Sequence, residues 1–307
     1  MGGKTIIRGP ISRLFLRWSQ RCGPLMDDLS MNIHILKKDK LALAGLVMII
    51  FFVFAAFLAP VLAPYPAQGL GESDLESRLE APGRDHWFGT DRQGRDLFSR
   101  ILYGLRISLI AAFGVTFTAI LIGVPLGAIA GYYGGLVDEI IMRITDLFLS
   151  FPALLLAIII VSVIGFGLQN AILALVISWW PWYTRLVRGI TISLKERAFV
   201  EGARSLGISN TRILLKHIVP NCFGPVIIQA TVDIGTVILA TASLGFIGLG
   251  AQPPQPELGL MISEGRDYVL EQWWYATFPG LIIFLLVLSF NLVGDGLRDT
   301  FDPRMKR

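Results

Sequence analysis

The stretch LALAGLVMIIFFVFAAFLAPVLA, Leu41 to Ala63, decides the fold. It contains no charged residue and exceeds the roughly 20 mainly apolar residues that a bilayer-spanning helix needs. Within lipid a helix is favoured because it satisfies its own backbone polar groups. The run follows Lys37, Lys38 and Lys40 and ends among Pro60, Pro64 and Pro66. A signal peptide is the competing reading, but its apolar core has roughly 7 to 15 residues, and forty residues precede this one.

Five further apolar runs lie downstream: Leu105 to Ala130, Ile140 to Ile164, Leu168 to Val187, Phe223 to Leu249 and Phe278 to Val293. The expectation is therefore an all-α integral membrane protein with about six transmembrane helices. Arg143, Asp146 and Pro152 make the third run irregular, and the fourth carries the aromatic cluster Trp179 to Tyr183. Composition agrees: 53% of the 307 residues are hydrophobic, 16% are charged, and the mean hydropathy is +0.62. A net charge of +4 would suggest nucleic acid in a soluble protein. Here the placement of the basic residues matters more than their sum, and no nucleic-acid partner is expected.

Lysine and arginine in connecting segments set the orientation, because cytoplasmic loops retain them. Lys4, Arg8, Arg13, Arg17, Arg21, Lys37, Lys38 and Lys40 precede the first run. Arg188, Lys195, Arg197, Arg204, Arg212 and Lys216 fall between the fourth and fifth, and Arg298, Arg304, Lys306 and Arg307 close the chain. The segment between the fifth and sixth has only Arg266 against Glu257, Glu264, Asp267 and Glu271. Both termini are thus expected in the cytoplasm, with an amino-terminal arm over 1–40 and a tail over 298–307. The 64–104 segment lies outside, and a membrane core over 105–297 encloses a cytoplasmic loop at 195–221. Cys22 and Cys222 then sit on or beside the reducing side, and no disulfide is expected. In the arm, Ile11, Leu14, Phe15 and Trp18 share one helical face and Arg13, Arg17 and Arg21 another. This suits a helix on the inner membrane surface. A disordered basic tail is the alternative.

The loop KERAFVEGARSLGISNTRILLKHIVPN, Lys195 to Asn221, is polar and basic within an otherwise apolar chain. Glu196 to Leu206 favour a helix, Gly207 permits a turn with unusual backbone angles, and Asn210 to Ile218 favour a second helix ended by Pro220. The segment resembles the cytoplasmic signature of permease subunits of ATP-binding-cassette importers. Glu201, Ala203, Gly207 and Pro220 match in register, while Gly202, His217 and Val219 depart from the generic pattern. The form HIVPN, with HWFGTDRQGRDLFSRILYGLRISL (His86 to Leu109), ASLGFIGLGAQPPQPELG (Ala242 to Gly259) and NLVGDGLRDTFDPR (Asn291 to Arg304), is similar to the dipeptide, oligopeptide and nickel subfamily. Its C-type subunit is the nearest in pattern.

This resemblance implies a type I importer permease fold in a bacterial inner membrane. It also implies a second homologous permease, two ATP-binding-cassette ATPase subunits and an extracytoplasmic substrate-binding protein. ATP and Mg would reside on the partner subunits, with no cofactor bound by this chain. Glu201, Gly202, Ala203, Gly207, His217 and Pro220 would form the ATPase-coupling site. The structural alternative for the same segment is an ordinary helical loop.

No phosphate-binding GxxxxGK[ST] loop is present; Gly2 to Thr5 copies only its end. His34, His86 and His217 lie in different segments, so neither a metal site nor a catalytic constellation is expected. Ionisable groups in lipid draw attention to Asp233, Arg143 and Asp146 as pathway or structural residues. Arg143 and Asp146 are spaced to pair with each other or to reach the boundary. Gly123, Gly127 and Gly131 favour close helix packing. Trp179, Trp180, Trp182 and Tyr183, and Trp273 to Tyr275, suit interfacial belts. Ala251 to Glu257 suits a stiff outer loop that, with 64–104, receives the binding protein. An ion-gradient transporter and a poreless scaffold are the rival functions. The sequence leaves open the choice among peptides, nickel chelates and glutathione.

Overall fold

The computed structural model describes residues 39–301, which are helical apart from turns and an isolated bridge between Thr90 and Asp96. The expected surface helix of the amino-terminal arm, Cys22, His34 and the end of the tail lie outside the described residues.

The first helix, α1 (Lys40–Phe57), begins where the Asp39 carboxylate accepts the backbone N–H groups of Leu41 at 2.9 Å and Ala42 at 3.2 Å. This satisfies two donors left unpaired at a helix start. After a segment of short turns, α2 (Leu97–Tyr133) is capped by Asp96, whose carboxylate accepts the Ser99 N–H at 2.7 Å. Its 37 residues make it about 55 Å long, well beyond the bilayer's hydrocarbon thickness. Then follow α3 (Gly135–Leu149), α4 (Ala153–Ile164), α5 (Leu168–Lys195) and α6 (Ala198–Ser205). The short α7 (Asn210–Ile213) passes through a π turn at Leu214–Ile218 into α8 (Val219–Ile247). The last two are α9 (Leu258–Gly265) and α10 (Trp274–Phe301).

Four helical runs are long and apolar enough to cross a membrane: α1, α2, Asn210–Ile247 and α10. The third expected span is instead two helices, α3 and α4, which meet that test only together and are bent by 86°. Pro152 explains the break, since it cannot donate to the preceding turn and disfavours helical angles at Phe151. The fourth expected span, α5, has 28 residues but fails on composition, because Trp179 to Tyr183, Arg185 and Arg188 lower its hydropathy. By length and composition the count is thus four, or five with the bent pair, rather than six.

The long helix α2 lies at the centre, most extensively against α5, with α8 and α1 on other faces. The glycine series in α2 is the seam with α5 of the same chain. A Cβ at Gly123 would lie 2.6 Å from Tyr183 Cβ, and one at Gly131 2.7 Å from the Arg188 carbonyl oxygen. At Gly127 it would press on the Thr184 carbonyl. Tyr183 and Val187 are fully buried in this seam. Elsewhere α10 packs against α1 and α8. The outward face of α1 leaves Phe51, Phe54 and Phe57 between 61% and 77% exposed, an arrangement suited to lipid rather than water.

Replacing Gly127 by Val is expected to force α2 and α5 apart and destabilise the purified protein by about 1–3 kcal/mol. Gly114→Ala in the same helix, where a Cβ would meet nothing within 4 Å, is expected to be neutral or stabilising. Thermal unfolding of the two variants in detergent checks this; equal losses would show that the seam is not tight.

Candidate functional site

The polar loop folds into the expected pair of helices. α6 ends at Leu206, and Gly207 adopts φ +74°, the left-handed region that glycine enters without a side-chain penalty. The Gly207 N–H donates to the Arg204 carbonyl at 3.0 Å and the Ile208 N–H to the Ala203 carbonyl at 3.2 Å. This double closure is a Schellman cap, which fixes the turn between α6 and α7.

The underside of the pair is apolar: Val200, Ala203, Ile213, Leu214 and Ile218 are buried. The other side is open. Glu201, Gly202 and Gly207 are exposed, His217 is half-buried, and Pro220 is exposed. Phe199, Leu206 and Leu215 also protrude, Leu206 at 81% exposure. Among the described residues, Glu196, Arg197, Glu201, Arg204 and Arg212 enter no ion pair within this chain. The result is an apolar-tipped knob with unpaired charges around it.

Pro220 departs from expectation, because it does not end the second helix. The π turn before it opens the backbone ladder, and the Val219 N–H donates five residues back to the Leu214 carbonyl. Pro220 therefore sits in the first turn of α8, where its missing N–H is tolerated. As a result, the second knob helix and the following membrane helix are one run, Asn210–Ile247.

The sequence matches the binding-protein-dependent transport system inner membrane component family over residues 123–307. The chain belongs to that family. Residues 30–82 also match the N-terminal TM domain of oligopeptide transport permease C. The relatives include the dipeptide transport system permease protein DppC of Alkalihalophilus pseudofirmus, 48% identical over 88% of each chain. The probable D,D-dipeptide transport system permease protein DdpC of Escherichia coli K12 is 43% identical over 89% of this chain and 90% of its own. The glutathione transport system permease protein GsiD of Pectobacterium atrosepticum is 44% identical over 88% and 89% respectively. The fold is that of a chain in the MetNI methionine ABC transporter, with a TM-score of 0.52 and 22% identity over 66% of this chain and 97% of that one. A second crystal form gives 0.54 and 21%. The chain is thus a multi-pass inner-membrane component of a bacterial ABC importer. An ion-gradient mechanism finds no support in a permease of this family.

Arg143 and Asp146 of this permease do not pair with each other. Arg143 bonds Glu139 one turn earlier at 2.8 Å, and Asp146 bonds Arg185 of α5. Asp138 likewise bonds Arg188, so two ion pairs fasten α3 to α5. Asp233 in α8 is buried, and its Oδ1 accepts from Gln229 at 2.9 Å. Among the described residues, its Oδ2 and the Tyr183 hydroxyl, both buried, have no hydrogen-bond partner beyond each other. An apolar hollow of about 710 Å³ lies between α4, α8 and α10, lined by Leu154, Leu239, Phe246, Ile283 and Phe284. It contains no charged side chain to meet the ends of a peptide.

Sequence reading missed a cluster at the other end of α2. Asp91 accepts from Arg95 Nε and Arg100 Nη1, both at 2.6 Å. Glu264 of α9 accepts from Arg100 at 3.1 Å, Arg95 at 3.3 Å and the Tyr275 hydroxyl at 3.3 Å. Asp91, Arg95 and Arg100 are fully buried. Asp91, Arg95 and Arg100 lie within one short polar stretch, but Glu264 is 164 or more residues from either arginine, a pairing that leaves no trace in the local sequence. Nearby, the buried Glu257 carboxylate caps α9 by accepting the Gly259 and Leu260 N–H groups at 3.0 and 2.8 Å. Burial pushes its pKa up to about 7, and the two backbone hydrogen bonds only partly oppose this.

An acid with a raised pKa in the folded state favours the protonated fold. Stability is therefore expected to decline as pH rises from about 4.5 to about 7 and then to level off. Glu257→Gln is expected to flatten that decline relative to the parent protein in thermal melts across the interval. Parallel pH profiles would remove the assignment.

Proposed function

We propose that this chain is one of two homologous permeases that together line a membrane pathway for short peptides or related small solutes. The glycine-jointed knob carries the proposal, because it offers protruding apolar side chains and charges that no described residue of this chain pairs. Glu201, Gly202, Ala203, Gly207, His217 and Pro220 form the coupling site. Ala203 acts from beneath the knob and the others from its surface or its junction with α8. Two ATP-binding-cassette ATPase subunits receive the two permeases' knobs in the cytoplasm. ATP and Mg are held there, and this chain binds no cofactor and hydrolyses nothing.

The orientation places both chain ends in the cytoplasm, as the basic residues favour. The 64–104 segment and the turn at 251–257 then face outward and receive a substrate-loaded binding protein. Short peptides are favoured as cargo because relatives at 43–48% identity are named for dipeptide, D,D-dipeptide and glutathione transport. The apolar hollow has no charged groups to read peptide ends, which supports selection shared with the binding protein and the second permease. When nucleotide draws the ATPases together, the knobs are carried with them and the membrane helices switch between inward-facing and outward-facing arrangements.

Gly207→Asp tests the coupling role. A Cβ at Gly207 meets nothing within 4 Å, and aspartate enters the left-handed region more readily than most residues, so the fold is expected to survive. The new carboxylate would stand unpaired on the docking surface, and ATPase association or uptake is expected to fall by roughly tenfold or more. Membrane insertion should match the parent chain in fractionation. Normal uptake by a correctly inserted variant would discard the coupling role.

A further inference from the structure

We propose that Tyr132 is a positioning residue of the coupling step: its hydrogen bond to Asn210 makes the knob and the long helix α2 move as one body. The inference rests on the coupling reading above. Tyr132 lies in the last turn of α2, and its hydroxyl donates to Asn210 Oδ1 at 2.8 Å. Asn210 is the first residue of α7. The Tyr132 ring is buried against Tyr133 in an edge contact, so a phenylalanine would pack equally well. Packing therefore gives no reason for the hydroxyl, whose hydrogen-bond partner is on the knob.

The knob's two covalent links to the membrane helices differ. A break at Glu196 and Arg197 separates α5 from α6, whereas α7 passes through the widened π turn into α8 as one helical run. α2 has neither joint, and no covalent bond carries knob motion directly into it. Tyr132 supplies that link across 78 residues of sequence. Lys195 at the end of α5 donates to the Gly131 carbonyl at 3.3 Å and so ties α5, rather than the knob, to the same end of α2. From this end α2 continues as one helix, through Pro125, to Arg100, which is fixed to Glu264 of α9. Motion of the knob is thus delivered to the far face by a single helix.

The test uses the assembled transporter, with both native cysteines replaced and spin labels at Thr211→Cys on α7 and Phe117→Cys on an exposed face of α2. The distance between labels is measured without nucleotide and after trapping with Mg, ATP and vanadate. In the parent it is expected to stay within the roughly 2 Å of ordinary helix adjustment. In Tyr132→Phe and in Asn210→Leu it is expected to shift or broaden beyond that on trapping. Asn210→Asp retains the acceptor and is expected to restore the parent behaviour. A state-dependent distance in the parent, or an unchanged one in Tyr132→Phe, overturns the inference. Separately, Leu206→Cys should cross-link to an ATPase subunit; absence of any cross-link overturns the coupling reading and this inference together. A cross-link with an insensitive Tyr132→Phe overturns only the inference.

Discussion

The close approach of α2 and α5 is the constraint on which the rest of the structure depends. Between apolar helices in lipid the hydrophobic effect gives little net attraction, so association relies on van der Waals contact and on backbones that come near enough to make it. Gly123, Gly127 and Gly131 remove the side chains that would hold α5 away, and the carbonyls of Thr184 and Arg188 occupy that space. Once the seam closes, the ends of both helices are placed. Lys195 then reaches the Gly131 carbonyl, and the knob begins two residues beyond α5. The arginines that lower the hydropathy of α5 also find Asp138 and Asp146 on α3.

The far end of α2 is held by a different kind of interaction. A fully buried Asp91 with two fully buried arginines is costly to form, because each charge must leave water before its partner compensates it. Such a group adds little net stability over an apolar replacement, but removing one member leaves the others uncompensated. It therefore works as a positional lock between the 64–104 segment and α9. Among the described residues, Arg95 Nη1 and Arg100 Nη2 have no hydrogen-bond partner.

Much of the fold was legible in the sequence because a bilayer imposes long apolar runs, and each expected span is mostly helix, although the first helix ends at Phe57 rather than Ala63. What failed was continuity. Pro152 read as an interruption and proved to be an 86° bend, whereas Pro220 read as a terminator and proved compatible with a continuing helix. Proline's missing N–H is local information; whether a π turn absorbs it depends on the surrounding packing. At the site, the Glu201 to Gly207 turn was legible because a left-handed glycine cap is encoded within a few residues. The Tyr132–Asn210 bond and the Arg100–Glu264 pair were not, since pairing across 78 and 164 residues leaves no periodic trace in one sequence.

These features divide the chain into held and interrupted parts. The held part is α2, which runs as one helix through Pro125 and is fixed by charge at one end, by the glycine seam along its length and by Tyr132 at the other end. The interrupted parts are the bend at Pro152 and the break at Glu196, the latter flanking the knob directly. A knob mounted on joints alone would absorb a partner's push by rotating in place, because a wide turn deforms more readily than a packed helix. A knob fixed rigidly at every connection would require the whole bundle to move together. The knob has neither arrangement: a break joins it to α5, a continuous helix to α8 and the Tyr132–Asn210 hydrogen bond to α2.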